Sequence, residues 1–137
     1  MSGYISPSLR AKIADRASHK CEYCSLPSEY SFFKFHIDHI ISRKHGGKTI
    51  LENLAYSCSI CNEYKGTDIA TVLDDPSKPV RFFNPRSDKW HEHFEVEDSA
   101  KIIPKTPVGA ATVKIFNLNH PESIIERRGL MDLGVYP

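Results

Sequence analysis

The stretch Phe35-His36-Ile37-Asp38-His39-Ile40-Ile41 decides how this chain is read, because a cysteine pair stands on each side of it. Cys21-Glu22-Tyr23-Cys24 precedes it and Cys58-Ser59-Ile60-Cys61 follows, with 33 residues between the pairs. Two C-x-x-C knuckles in a chain with no visible export signal point to one tetrahedral Zn2+ held by Cys21, Cys24, Cys58 and Cys61. The alternative is two disulfides or redox pairs. Disulfides need an oxidising compartment, and a thioredoxin-like pair would need no second one. The gap exceeds that of an ordinary zinc ribbon, so a folded element is expected inside it.

That element can be read outward from the quoted stretch. Residues 35–41 are rich in strand formers and predict a short β-strand. Residues 42–48 are a polar loop with Gly46-Gly47 as its turn, and 51–56 predict a second extended segment. Ile60 to Lys65 predicts a helix closed by Gly66. Upstream, Ser6-Pro7-Ser8 is a helix start signal, and Leu9, Ile13 and Ala17 make one apolar stripe over residues 7–18. Downstream, Pro76, Pro79 and Pro85 predict an ordered connection over 74–90 with little regular structure. His91–Val96 and Lys101–Pro104 predict a hairpin about Glu97-Asp98-Ser99. Pro107 opens a helix over 108–117, and Asn119-His120-Pro121-Glu122 caps a last helix over 121–130, ending at Gly129. Trp90 and Phe94 are core residues by their spacing, and His91 and His93 are structural or exposed.

A length of 137 residues fits one domain. We expect a zinc and catalytic core over about 7–70 and a C-terminal extension over 71–137. A chain this long buries roughly 68% of its unfolded surface and needs no disulfides. No apolar run approaches the roughly 20 residues of a membrane span, so no membrane partner is expected. Residues 1–20 show no signal region, so a cytoplasmic location is expected. The net charge of +1 argues against a DNA-coating protein. Residues 1–65 nevertheless carry 9 Lys+Arg against 6 Asp+Glu, while 66–137 carry 9 against 11. The more basic half holds the cysteines and the residues between them, which permits a local phosphate-binding patch.

From Cys21 to Gly66 the order is C-x-x-C, then D-H-I, G-G, N-L and C-x-x-C-N-x-x-K-G. This order resembles the HNH endonuclease family, the His-Me finger nucleases. The C-terminal segments Phe83-Asn84-Pro85-Arg86, Trp90–Phe94 and Thr106–Val113 are similar to the extension of a bacterial HNH subgroup, with Ala110 where that subgroup has a larger basic residue. The resemblance implies an α+β fold in which a ββα-metal motif is stapled by the four-cysteine zinc site and flanked by N- and C-terminal helices. It implies an endonuclease that hydrolyses phosphodiester bonds of double-stranded DNA, with a homodimer as one way to cut both strands.

The residue types suit that chemistry. His39 is the candidate general base, since an imidazole titrating near 6.5 is neutral at pH 7. Asp38 and the Asn62 amide oxygen are candidate ligands for a single Mg2+ or Mn2+. Asn53 matches the family's middle asparagine, which orients the base or supports the loop. Lys65 is placed for a phosphate contact, and Arg43, Lys44 and Lys48 surround the Gly-Gly turn as further contacts. His36 shares a strand face with Asp38 and is either a third ligand or a surface residue. Neighbouring strand residues such as Asp38 and His39 face opposite sides, so both serve one site only if the strand ends there. The competing reading is a non-catalytic zinc module that binds nucleic acid or a protein.

Overall fold

Ser6 opens the first helix of the computed structural model, which describes residues 3–137. Its hydroxyl accepts from the Leu9 amide, and the helix α1 spans Pro7–Arg16. Ile13 and Ala14 are its buried face. The first cysteine knuckle follows and is tied to the strand beyond it, since the Glu22 amide donates to the Tyr56 carbonyl at 2.8 Å.

Between the knuckles lies an antiparallel pair, β1 (His36–His39) and β2 (Leu54–Ser57). The register runs from His36 opposite Ser57 to His39 opposite Leu54. α2 (Ser59–Lys65) follows directly, with the Cys58 sulfur accepting from the Cys61 amide as its cap. The order is strand, loop, strand, helix, with the four cysteines beside it. Among the described residues, helices mix with three two-stranded antiparallel sheets, an α+β architecture.

Several expectations needed adjustment. The proline-bearing connection contains a second hairpin, β3 (Ala70–Val72) with β4 (Pro79–Arg81). Pro79 is tolerated because it starts an edge strand, where no ladder donor is missed. The third hairpin begins later than its sequence suggested. Trp90–His93 forms a helical turn, α3, and the strands are β5 (Phe94–Val96) and β6 (Ile102–Pro104). α4 spans Pro107–Phe116, capped by Thr106. α5 spans Pro121–Asp132, beyond Gly129, and within the expected capping stretch the cap is His120. The left-handed residue that follows it is Gly134, at φ +73°.

The C-terminal half packs onto the zinc region through one continuous core. Tyr23 and Phe82 both meet the Phe116 ring edge-on, at 4.9 and 5.1 Å between centroids. Three polar ties hold the first knuckle in place. The Trp90 indole donates to the Tyr23 carbonyl at 2.9 Å, and the Tyr136 hydroxyl donates to the Cys24 carbonyl at 2.7 Å. Arg86 pairs with the Glu22 carboxylate and also donates to the Leu54 carbonyl. Buried Arg127 links Ala100, Leu118 and Asn119.

Arg86→Met therefore strands a nearly buried Glu22 carboxylate. The expected loss is about 2–3 kcal/mol of unfolding free energy in urea. A change below about 0.5 kcal/mol, the range of an ordinary surface substitution, would contradict this role.

Candidate metal centre and catalytic cleft

The four cysteine sulfurs all lie within 4.8 Å of one another, and each residue is buried. Cys24 and Cys58 sulfurs are 3.7 Å apart. A tetrahedral zinc site with bonds of about 2.3 Å has sulfur–sulfur edges of about 3.8 Å. A disulfide would need about 2.05 Å, and all four thiols are free. The Cys24 and Cys61 amides point at Cys21 and Cys58 sulfurs, at 3.5 and 3.4 Å. Hydrogen bonds with neighbouring cysteines push the Cys24 and Cys61 thiols well up, while Cys21, despite its burial, is held down by bonds from Cys24, Cys58 and Cys61. A divalent cation relieves that crowding and releases protons as it binds. The donor set fits a structural zinc. Among the described residues it is the only group of three or more His, Cys, Asp or Glu side chains close enough to share an ion.

A cleft of ≈ 280 Å³ opens at the end of β1. Asp38, His39, Asn62, Arg43 and Lys44 line it, with Ser42 and Thr67. Asp38 and His39 reach one cleft because β1 stops at His39 and the chain turns away. Their neighbours differ. Asp38 is 5% exposed and accepts from the Tyr23 hydroxyl at 2.6 Å and the Lys65 ammonium at 3.1 Å. Burial pushes its carboxyl up, against the pull of Lys65 and Tyr23. His39 is half-buried, and its Nε2 lies 2.9 Å from the Thr49 hydroxyl. Desolvation lowers its pKa from 6.5, opposed by Asp38 and assisted by Arg43 and Lys65. The Asn62 side-chain amide has no hydrogen-bond partner among the described residues.

Asn53 fastens the loop that carries the cleft wall. Its Oδ1 accepts from the Ile41 amide, and its Nδ2 donates to the Ile41 and Lys48 carbonyls, all at 2.9–3.0 Å. Gly47 allows this closure, since a Cβ there would sit 1.6 Å from the Ile41 carbonyl oxygen.

Lys65, expected at a phosphate, is buried. Its side chain is 2% exposed and donates to Asp38 and to the His39 carbonyl, at 3.1 and 2.9 Å. It braces the strand end. Arg43 and Lys44 line the cleft, whereas Lys48 is exposed and enters the loop through its backbone. His36 is exposed at the opposite end of β1. Outside the cleft, His93 bonds the Thr106 hydroxyl at 2.6 Å and His91 is exposed. Thr49 and Tyr23 had no signal in the sequence beyond proximity to the recognised residues.

Two outcomes follow. The purified chain should carry one zinc, and stripping it should unfold the protein, since such sites supply apparent binding energies of roughly 10–16 kcal/mol. Native circular dichroism in a metal-free Cys58→Ser variant would contradict this. Lys65→Met should cost about 3–5 kcal/mol by leaving Asp38 charged, buried and unpaired. Adding Asp38→Asn should recover much of that loss, and an additive double variant would refute the pairing.

No helix among the described residues is long and apolar enough to cross a membrane. No curated protein and no solved structure matches the chain significantly. The family model for HNH endonucleases matches residues 21–68, the span that holds both cysteine pairs, β1, β2, α2 and the cleft. Residues 21–68 are thus similar to HNH endonucleases, and four cysteines positioned as a metal site lie within that span.

Proposed function

We propose that the chain is an endonuclease that hydrolyses DNA phosphodiester bonds with His39 as general base and one divalent ion at Asp38 and Asn62. The observation that carries this reading is the cleft shared by Asp38, His39 and Asn62, beside an arginine and a lysine.

His39 takes the proton from the attacking water. Its partly desolvated ring is neutral at pH 7, the form that can accept a proton. Asp38 and Asn62 offer one carboxylate and one amide oxygen, hard donors that suit Mg2+ or Mn2+ with water completing the shell. Each Asp38 oxygen already accepts one hydrogen bond and keeps capacity for another contact. The ion, when bound, supplies charge stabilisation to the phosphate and the leaving 3′ oxygen. Lys65 already offsets the Asp38 charge, so the protein attracts a cation weakly and the substrate phosphate contributes to holding it. Arg43 and Lys44 at the cleft and Lys48 on the loop supply positive charge along the phosphate path. Asn53 keeps that loop closed.

Double-stranded DNA is the proposed substrate. One cleft per chain predicts nicking, and a homodimer would pair two cuts.

A second reading has one observation in its favour. Asp38 is locked between Tyr23 and Lys65, which suits a zinc module that binds without cutting.

Supercoiled plasmid separates the two. The enzyme nicks it with Mg2+ or Mn2+, is silent with EDTA, and loses at least roughly 100-fold in His39→Ala. Binding without nicking supports the module. The pH profile carries its own sign. Because His39 is held below 6.5, cleavage should persist to slightly acid pH and fall only below the ordinary histidine value. A loss that begins well above 6.5 would contradict His39 as the base.

A further inference from the structure

Among the described residues, Thr49 is the one side chain that touches the His39 ring by a hydrogen bond, at 2.9 Å from Nε2. A neutral imidazole has one N–H and one lone pair, and a partner at one nitrogen decides which is which. No partner meets Nδ1 among the described residues, and His39 lines the cleft. The nitrogen that faces no protein group is the one left for water.

The position of Thr49 is not incidental. It follows Lys48, whose carbonyl accepts from Asn53 at 2.9 Å. Three residues earlier in the loop, the Gly46 amide bonds the Arg43 carbonyl at 3.0 Å, and the Gly47 amide bonds the Ser42 carbonyl at 3.0 Å. Gly47 itself is packed against the Ile41 carbonyl. The backbone is therefore fixed immediately before Thr49, and a β-branched side chain has few χ1 choices. Asn53 acts on His39 through this path, without touching the ring.

We propose that Thr49 is a positioning residue for His39: its hydroxyl oxygen accepts the Nε2–H, holds the ring, and leaves the Nδ1 lone pair as the proton acceptor. The opposite polarity, with the hydroxyl donating to Nε2, would put the proton on Nδ1 and leave no basic nitrogen for water. The role in cleavage and the choice of tautomer rest on the proposed nuclease reading; the fixing of the ring by Thr49 rests on the hydrogen bond alone.

The test uses the zinc-loaded full chain labelled with 15N-histidine, above the histidine titration range. Long-range 1H–15N spectra should show a protonated Nε2 and an unprotonated Nδ1 at His39 in the native chain and in Thr49→Ser. In Thr49→Val the ring should become a mixture of both tautomers, with the other histidines and the backbone spectrum unchanged. Plasmid cleavage by Thr49→Val should lose roughly 10- to 100-fold in kcat, part of the roughly 10²–10⁴ that a positioned base supplies. KM should be unchanged and Thr49→Ser should restore the rate. A native Nδ1–H tautomer, or a Thr49→Val spectrum identical to the native one, would overturn the proposal. If the tautomer shifts in Thr49→Val but the native chain cuts nothing, the positioning role stands and the nuclease reading falls.

Discussion

Four sulfurs held within 4.8 Å of one another are the constraint on which the rest of the molecule depends. They join a knuckle after α1 to a knuckle at the start of α2, so the hairpin between them begins and ends at the same place. A two-stranded hairpin alone is marginal in water. Here its strands are anchored at both ends, and Cys58 also caps the helix that forms one wall of the cleft. The metal centre and the catalytic candidates are thus linked by a single short segment, from Cys58 to Lys65.

The C-terminal half reinforces the same region from outside. Trp90 and Tyr136 bond the backbone of the first knuckle, and Arg86 reaches Glu22 within it. Each tie spans a long sequence separation, yet all three converge on residues 22–24. A cleft that must hold Asp38 and His39 in register benefits from this, since Tyr23 itself donates to Asp38. The knuckle that brings two of the four sulfurs together therefore also positions a cleft carboxylate. Lys65 does the same from α2, with Asp38 and the His39 carbonyl as its two acceptors. Around the cleft the buried polar groups Tyr23, Asp38 and Lys65 fix one another.

Much of this was legible in the sequence, for local reasons. Paired cysteines at fixed spacing, Asp38-His39 on a strand-forming stretch, and Asn53 and Asn62 in order all lie in one segment of chain. Helices α1 and α4 announce themselves by a capping hydroxyl followed by proline. What escaped depends on distance or on context. A lysine is exposed by default, and only a partner 27 residues away makes Lys65 a buried brace. Thr49 is an ordinary loop threonine until the loop folds back on His39. The β3–β4 hairpin hid behind Pro76 and Pro79, and α3 is a single turn too short to show a period. Gly129 looked like a helix end, but the helix continues because nothing there requires a left-handed residue, whereas Gly134 adopts one.

The central claim is that this cleft hydrolyses a phosphodiester bond with His39 as base. It is tested most directly by incubating the zinc-loaded chain with an end-defined DNA duplex and Mg2+ or Mn2+, then reading the masses of the product ends. The account predicts 5′-phosphate and 3′-hydroxyl ends that require the added metal and are lost in His39→Ala. Intact duplex under every metal condition, or products that persist unchanged without His39, would contradict it.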